Sequence, residues 1–185
     1  MGRSLMRIKI VALFFLWPQL ALAEPLLAPI QFEGRYVFTL ASVPFGRVDV
    51  KFSQDETRYE AVADVDTAPV IKVFVQHESH TESSGTGADY IYPEGAYKSD
   101  YSTRGKKRSA AFARKGGMIA NEKITPPDTD RPKVPATQKA GAFDPLSLAL
   151  GMRVELAKAL AEGRKNFTLK YYDGRRLTQV NLTYV

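Results

Sequence analysis

Apolar and polar residues alternate strictly through Arg47-Val48-Asp49-Val50-Lys51-Phe52, so Val48, Val50 and Phe52 share one face of a strand and the charges share the other. Tyr36, Phe38 and Leu40 define one face of the preceding segment, and Val43-Pro44-Phe45-Gly46 reads as the tight turn between the two. Tyr59, Ala61, Ala63 and Val65 alternate with Arg58, Glu60, Val62 and Asp64. Three alternating strands with short links predict an antiparallel meander with one wet face. Ala68 to Val75 fits either a short helix opened by Pro69 or a buried strand. Weaker strand patterns cover Gln76 to Ser83, Tyr97 to Thr103, Lys107 to Arg114 and Met118 to Ile124, with Gly116-Gly117 as a two-residue hairpin turn between the last two.

The period then changes. Asp144 is an N-cap, Pro145 suits the first helical position and Gly163 stops the run, which predicts a helix over 144–162. At about 100° per residue, Ser147, Gly151, Glu155, Lys158 and Glu162 make a narrow polar stripe. Leu146, Leu148, Leu150, Met152, Val154, Leu156 and Leu160 fill the rest of the surface, and Arg153 falls among them. So wide an apolar arc predicts a helix buried on most sides. Residues 125–142, rich in Pro, Lys and Asp, read as a mobile surface connection. Phe167, Leu169 and Tyr171 alternate up to Asp173-Gly174, a type I′ turn signal, and Val180, Leu182 and Tyr184 alternate after it. The expected fold is α+β and β-rich: one domain over 24–185, a strongly curved antiparallel sheet, open or an incomplete barrel, wrapped on the single C-terminal helix.

The first residues read as an address. Arg3, Arg7 and Lys9 precede eight apolar residues, Ile10 to Trp17, and Ala21-Leu22-Ala23 completes a secretory signal peptide over 1–23. The apolar run falls well short of the ~20 residues a spanning helix needs, so no transmembrane segment is expected after cleavage. The predicted location is the periplasm, or the medium after secretion. Among the 185 residues there is no cysteine, which removes disulfides, thiolate metal sites and cysteine nucleophiles. Two histidines, His77 and His80, are too few for a three-histidine metal site, and phosphate-loop, dinucleotide and nucleophile-elbow motifs are absent. Neither a cofactor nor a metal is expected.

Charge is segregated. Residues 24–96 hold 5 basic and 12 acidic side chains, whereas 97–185 hold 18 basic and 8 acidic. Arg104, Lys106, Lys107, Arg108, Arg114 and Lys115 lie within twelve residues that contain no acid. Such density reads either as a solvated hairpin tip or as a contact for an anionic lipid or envelope polymer. The export signal disfavours nucleic acid as a partner.

Three further groups are candidates for chemistry. On a strand, His77 and His80 point to opposite faces, and His80 shares its face with Glu78 and Glu82, which could bracket the imidazole. A wet strand face is the plainer explanation. Tyr90, Tyr92, Tyr97 and Tyr101 would suit an aromatic sugar platform or, more simply, strand packing. Arg153, set in an apolar arc, is expected to be mostly buried and paired, either in a structural ion pair or as an anchor for an anionic head group.

Val43-Pro44-Phe45-Gly46, Asp144-Pro145-Leu146-Ser147 and Tyr172-Asp173-Gly174-Arg175-Arg176 occur in this order. The chain thereby resembles, over most of residues 33–185, a large proteobacterial family of exported proteins catalogued as a domain of unknown function. The resemblance implies a β-rich exported domain and assigns no catalytic residue. By looser analogy, the expected sheet is similar to the periplasmic lipoprotein-carrier barrels. The function these readings support is a non-catalytic, envelope-associated protein that binds a lipid or other amphipathic anion, with Arg153, Arg104, Lys106, Lys107 and Arg108 as candidate ligand-binding residues. The alternatives are an interaction module that pairs with another envelope protein through a sheet edge, and a hydrolase using His80 with Glu78 or Glu82, for which no nucleophile pattern is evident.

Overall fold

The alternating segments form one long meander. The computed structural model describes residues 27–69, 76–129 and 132–184; the predicted signal peptide and residues 70–75 lie outside that range. Strands β1 (Ile30–Leu40), β2 (Val43–Gln54), β3 (Arg58–Thr67), β4 (His77–Ala88), β5 (Ile91–Thr103), β6 (Lys106–Lys115) and β7 (Met118–Thr125) follow in order, each antiparallel to its neighbour, in an open seven-stranded sheet. A short helix α1 (Ala136–Lys139), the main helix α2 (Leu148–Ala161) and a separate hairpin, β8 (Asn166–Tyr172) with β9 (Leu177–Thr183), complete the chain. The α+β reading, a curved antiparallel sheet with one main C-terminal helix, holds.

Strand parity separates the two faces of the sheet. One face buries Tyr59, Ala61 and Ala63 of β3, Ser83 of β4, Tyr97 and Ser99 of β5, and Ala110, Phe112 and Arg114 of β6. The opposite face carries Arg47, Asp49, Lys51, Asp64, His80, Glu82, Lys98 and Asp100, tied by exposed ion pairs such as Lys98 with Asp100 at 2.9 Å. Two clusters fill the buried side. Tyr97, Phe112, Ile119, Ala142 and Tyr172 pack where the β8–β9 hairpin crosses the sheet, and Tyr59, Tyr92 and Leu150 pack where α2 meets it.

Several local expectations change. The first turn is Ala41-Ser42, both at positive φ (48° and 66°), and Val43 to Gly46 lies inside β2 beside an irregularity in the register. Pro44 signals a turn in the sequence; here it sits on a strand neighbouring the sheet edge, next to that irregularity. The β4–β5 hairpin turns at Asp89-Tyr90, also at positive φ, so β4 and β5 are longer than their patterns suggest. Gly116-Gly117 turns the β6–β7 hairpin as expected, with φ of 55° and 75°. The final hairpin has a four-residue connection, Asp173 to Arg176, in which Asp173 Oδ1 accepts the Arg175 and Arg176 N–H groups at 2.7 Å each.

Asp144 caps the main helix. Its Oδ1 accepts the Leu146 and Ser147 N–H groups at 3.0 and 2.9 Å, Pro145 follows where no N–H is required, and regular helix begins at Leu148. Only Leu150, Gly151 and Ala159 of α2 are buried, so the helix is less enclosed than its apolar arc implies. Gly151 is a close approach, since a Cβ there would meet the Phe143 ring at 2.5 Å. Within the connection 125–142, Lys139 is buried, donates to Glu122 and lies 4.8 Å from the Tyr172 ring centroid, so this part is packed down.

Candidate functional site

The basic hairpin stands at one end of the sheet. Arg104-Gly105 turns β5 into β6 with φ of 50° and 74°, and Arg104, Lys106, Lys107 and Arg108 are all exposed. Alternation along β6 then divides them. Buried Ala110 and Phe112 fix one face, and two-residue spacing puts Arg108 and Lys106 on that face and Lys107 on the charged one. Register extends this across the sheet. Arg108 pairs with Tyr101, Tyr101 with Ser79, Ser79 with Val65, Val65 with Val48 and Val48 with Tyr36. One row across six strands thus leads from a guanidinium to a tyrosine ring, five strand spacings or about 24 Å away.

At the β1–β2 end of this face the side chains are apolar and uncovered. Phe32 is 41% exposed, Tyr36 51%, Phe38 46% and Phe45 40%, and the Phe38 and Phe45 rings lie 5.9 Å apart. Val48, Val50 and Val65 beside them are half-buried. A contiguous apolar surface of this kind on an edge marks a binding face more than it marks ordinary exposure.

A polar network occupies the opposite end. Asp144 is 2% exposed, and its Oδ2 accepts from Ser147 Oγ at 2.6 Å, Ser83 Oγ at 2.8 Å and the Tyr59 hydroxyl at 3.4 Å. Arg114 joins from the other side, donating from Nη2 to the Tyr59 hydroxyl at 2.9 Å and from Nη1 to Ser147 Oγ at 3.4 Å. Anion and cation are therefore joined through hydroxyl groups. Burial, reinforced by the Asp144 charge, pushes the Tyr59 phenol above its ordinary range and keeps it a neutral donor. Glycines make room: a Cβ on Gly85 would meet the Tyr59 ring at 2.4 Å, and one on Gly95 would meet the Ser84 carbonyl at 2.5 Å and Arg114 Nη2 at 3.2 Å. Arg114, expected in the solvated basic cluster, is instead 7% exposed, because its alternation partner on the strand is core residue Phe112.

Arg153 belongs to neither end of the basic row. It is half-buried beside the β2–β3 turn, with Nη1 donating to the Gln54 carboxamide oxygen and Nη2 to the Ala28 carbonyl at 3.0 Å. Desolvation lowers its pKa from the usual guanidinium range. The structure places Arg153 apart from Arg104, Lys106, Lys107 and Arg108, so these five residues form no single site.

His80 lies on the charged face, with Nδ1 2.6 Å from Asp64 and Nε2 3.0 Å from Glu82. The bracketing pair is therefore Asp64 and Glu82, since Asp64 is its cross-strand partner. Hydrogen bonds to Asp64, and then to Glu82, raise the imidazole pKa above its ordinary value. Asp64, His80, Asp100 and Lys107, together with Val65, Tyr101 and Arg108 of the row above, line a broad depression of about 930 Å³. Tyr92 and Tyr97 are buried in separate clusters, so the four tyrosines make no common platform. Among the described residues no cluster suited to a metal ion is present, and no helix is long and apolar enough to cross a membrane.

Residues 34–185 match the family described as a protein of unknown function, DUF3108, and the chain belongs to that family. Searches of curated proteins and of solved structures find no match to the chain.

Proposed function

We propose that this DUF3108 protein is a non-catalytic periplasmic protein of the cell envelope that binds an amphipathic anion, a lipid above all, on the apolar face of its sheet. The observation that carries the proposal is the row from Tyr36 through Val48 and Val65 to Arg108. Apolar side chains left in water at β1 and β2 favour an acyl chain, and Arg108 and Lys106 on the same face favour its anionic head group. The signal-peptide pattern of the first residues supports export.

The test is native mass spectrometry of protein purified from the periplasm, with bound lipid extracted and identified. Co-purified anionic lipid, lost on Phe38→Ser or on the paired change Lys106→Ser with Arg108→Ser but retained in Lys107→Ser, is the expected result. Recovery of lipid-free protein that also fails to bind anionic vesicles at low salt would overturn the proposal. Binding should weaken as salt rises, because the Debye length shortens from ~10 Å at 0.1 M to ~3 Å at 1 M.

A second reading rests on the edge itself. Strand β1 has eleven residues and lies at the end of the strand order, so its outer backbone groups could extend a partner's sheet. Co-purification of a second envelope protein, abolished by Val37→Pro in β1, would favour it over lipid binding.

A further inference from the structure

The end of the sheet remote from the basic hairpin holds a cavity of about 210 Å³ between α2 and the β4–β5 and β6–β7 hairpins. Its walls include Ile91, Tyr92, Pro93, Leu150 and Val154, and Arg114 lines it among these apolar groups. We infer that this cavity binds a small apolar monocarboxylate, with its carboxylate on the Arg114 guanidinium and its hydrocarbon part against Tyr92, Leu150 and Val154.

The argument begins from the charge balance inside. Asp144 accepts five hydrogen bonds from its own chain, two from backbone N–H groups and three from hydroxyls, and so has its full complement of donors. Arg114 is served less well. It is 7% exposed, and among the described residues its two hydrogen bonds go to neutral hydroxyls, one of them at 3.4 Å, while its Nε has no hydrogen-bond partner. A guanidinium out of water favours a planar acceptor that can take two parallel N–H bonds, which a carboxylate supplies. Size then limits the rest of the ligand. The cavity is smaller than the ~300–1,000 Å³ of pockets that hold drug-sized molecules, so it suits a short hydrocarbon chain. At the edge of the cavity, Ile91 is 53% exposed, and Lys158 pairs with Glu155 at 2.9 Å. This site shares a sheet face with the proposed lipid site and lies apart from its basic end: six residues along β6 separate Arg114 from Arg108, about 20 Å.

The experiment titrates the purified protein with sodium hexanoate, and in parallel with hexanol, following the methyl resonances of Ile91, Leu150 and Val154 by NMR. Hexanoate is expected to shift these signals and to bind at least tenfold more tightly than hexanol. Val154→Trp, which fills the cavity from the helix surface, should abolish these shifts while the circular dichroism spectrum is unchanged. Arg114→Gln should remove the preference for the acid if it folds; the Val154 variant decides the matter if it does not. The double change Lys106→Ser with Arg108→Ser should leave hexanoate binding intact. The inference is overturned if hexanoate shifts none of these methyls, if hexanol binds equally well, if Val154→Trp binds as wild type does, or if the hairpin changes remove binding.

Discussion

Replacing Asp144 with alanine removes three things together, and the structure allows each to be weighed. The first is the helix cap, in which Oδ1 accepts the Leu146 and Ser147 N–H groups; losing such a cap costs about 0.5–2 kcal/mol. The second is the acceptor for Ser147, Ser83 and Tyr59, each of which is 3% exposed or less. Ser83 and Tyr59 lie 2.9 Å apart, so one can donate to the other, and Ser147 Oγ can turn to the residue-144 carbonyl at 3.3 Å; one orphaned donor remains, at about 1–3 kcal/mol. The third is the charge that compensates Arg114, whose link to Asp144 through hydroxyls makes the loss smaller than the ~3–5 kcal/mol of a directly broken buried pair. The expected total is about 3–5 kcal/mol, a large part of the ~5–15 kcal/mol typical of a domain. Asp144→Asn retains a capping oxygen and should cost less, about 1–3 kcal/mol. Urea unfolding followed by far-ultraviolet circular dichroism measures both, with the slope checked for two-state behaviour. A loss below about 1 kcal/mol for the alanine variant would refute the reasoning, because the network would then be an incidental feature of the packing.

Arg153→Ala should cost about 1–3 kcal/mol in the same assay, the range for lost charge-assisted hydrogen bonds to Gln54, which is 2% exposed, and to the Ala28 carbonyl. A change within about 0.5 kcal/mol would show that this guanidinium contributes nothing to the helix–sheet contact. The hydrogen bonds of His80 to Asp64 and Glu82 raise its folded pKa, so its contribution to stability is complete below the unfolded value of about 6.5 and is lost as pH rises through the folded value. The site is exposed, which limits the effect to about 0.2–1 kcal/mol, seen as a larger destabilisation by His80→Ala near pH 5.5 than near pH 8.5. A pH-independent difference, or the opposite trend, would contradict this assignment.

The parts of the fold legible in the sequence are those governed by local chemistry. The alternation around Val48 and Val50 and the glycine pair at 116–117 each have a short-range physical cause and appear where expected; Asp144 accepts the N–H groups of the turn that leads into the helix, but regular helix begins at Leu148, three residues beyond Pro145. Turns built from residues that seldom adopt positive φ were not legible. Ala41-Ser42 and Asp89-Tyr90 are held in that conformation by the pairing of long strands on either side. Arg114 departs from its solvated expectation for a related reason. Its neighbours in sequence are basic and suggested solvent, but the two-residue period that puts Phe112 in the core puts Arg114 there as well. The glycines opposite it carry a signal of that burial. Gly85 and Gly95 face each other on adjacent strands, and a glycine pair inside a sheet marks a place where large side chains cross. The pairing of His80 with Asp64 required the register, which no spacing within one strand contains.

The edge and the interior of the sheet also differ in what holds them, and this leads to a prediction about local opening. Strand β3 has neighbours on both sides and buries Tyr59, Ala61, Ala63 and Thr67. Among the described residues strand β1 has one neighbour, and Phe32, Tyr36, Val37 and Phe38 on it are all more than 40% exposed. Opening β1 therefore exposes little additional apolar surface, whereas opening β3 breaks the Tyr59 network and the contact with Leu150. Amide exchange should accordingly occur in β1 through local opening, at a free energy well below that of global unfolding, with β3 near the global value. Hydrogen exchange measured by mass spectrometry on peptides spanning 30–40 and 58–67 gives both. An amphipathic anion that covers β1 should raise the protection of the first peptide and leave the second nearly unchanged, since a ligand stabilises the states in which its site is intact. Protection of β1 equal to that of β3 in the absence of ligand would mean that something other than the described contacts covers the apolar face.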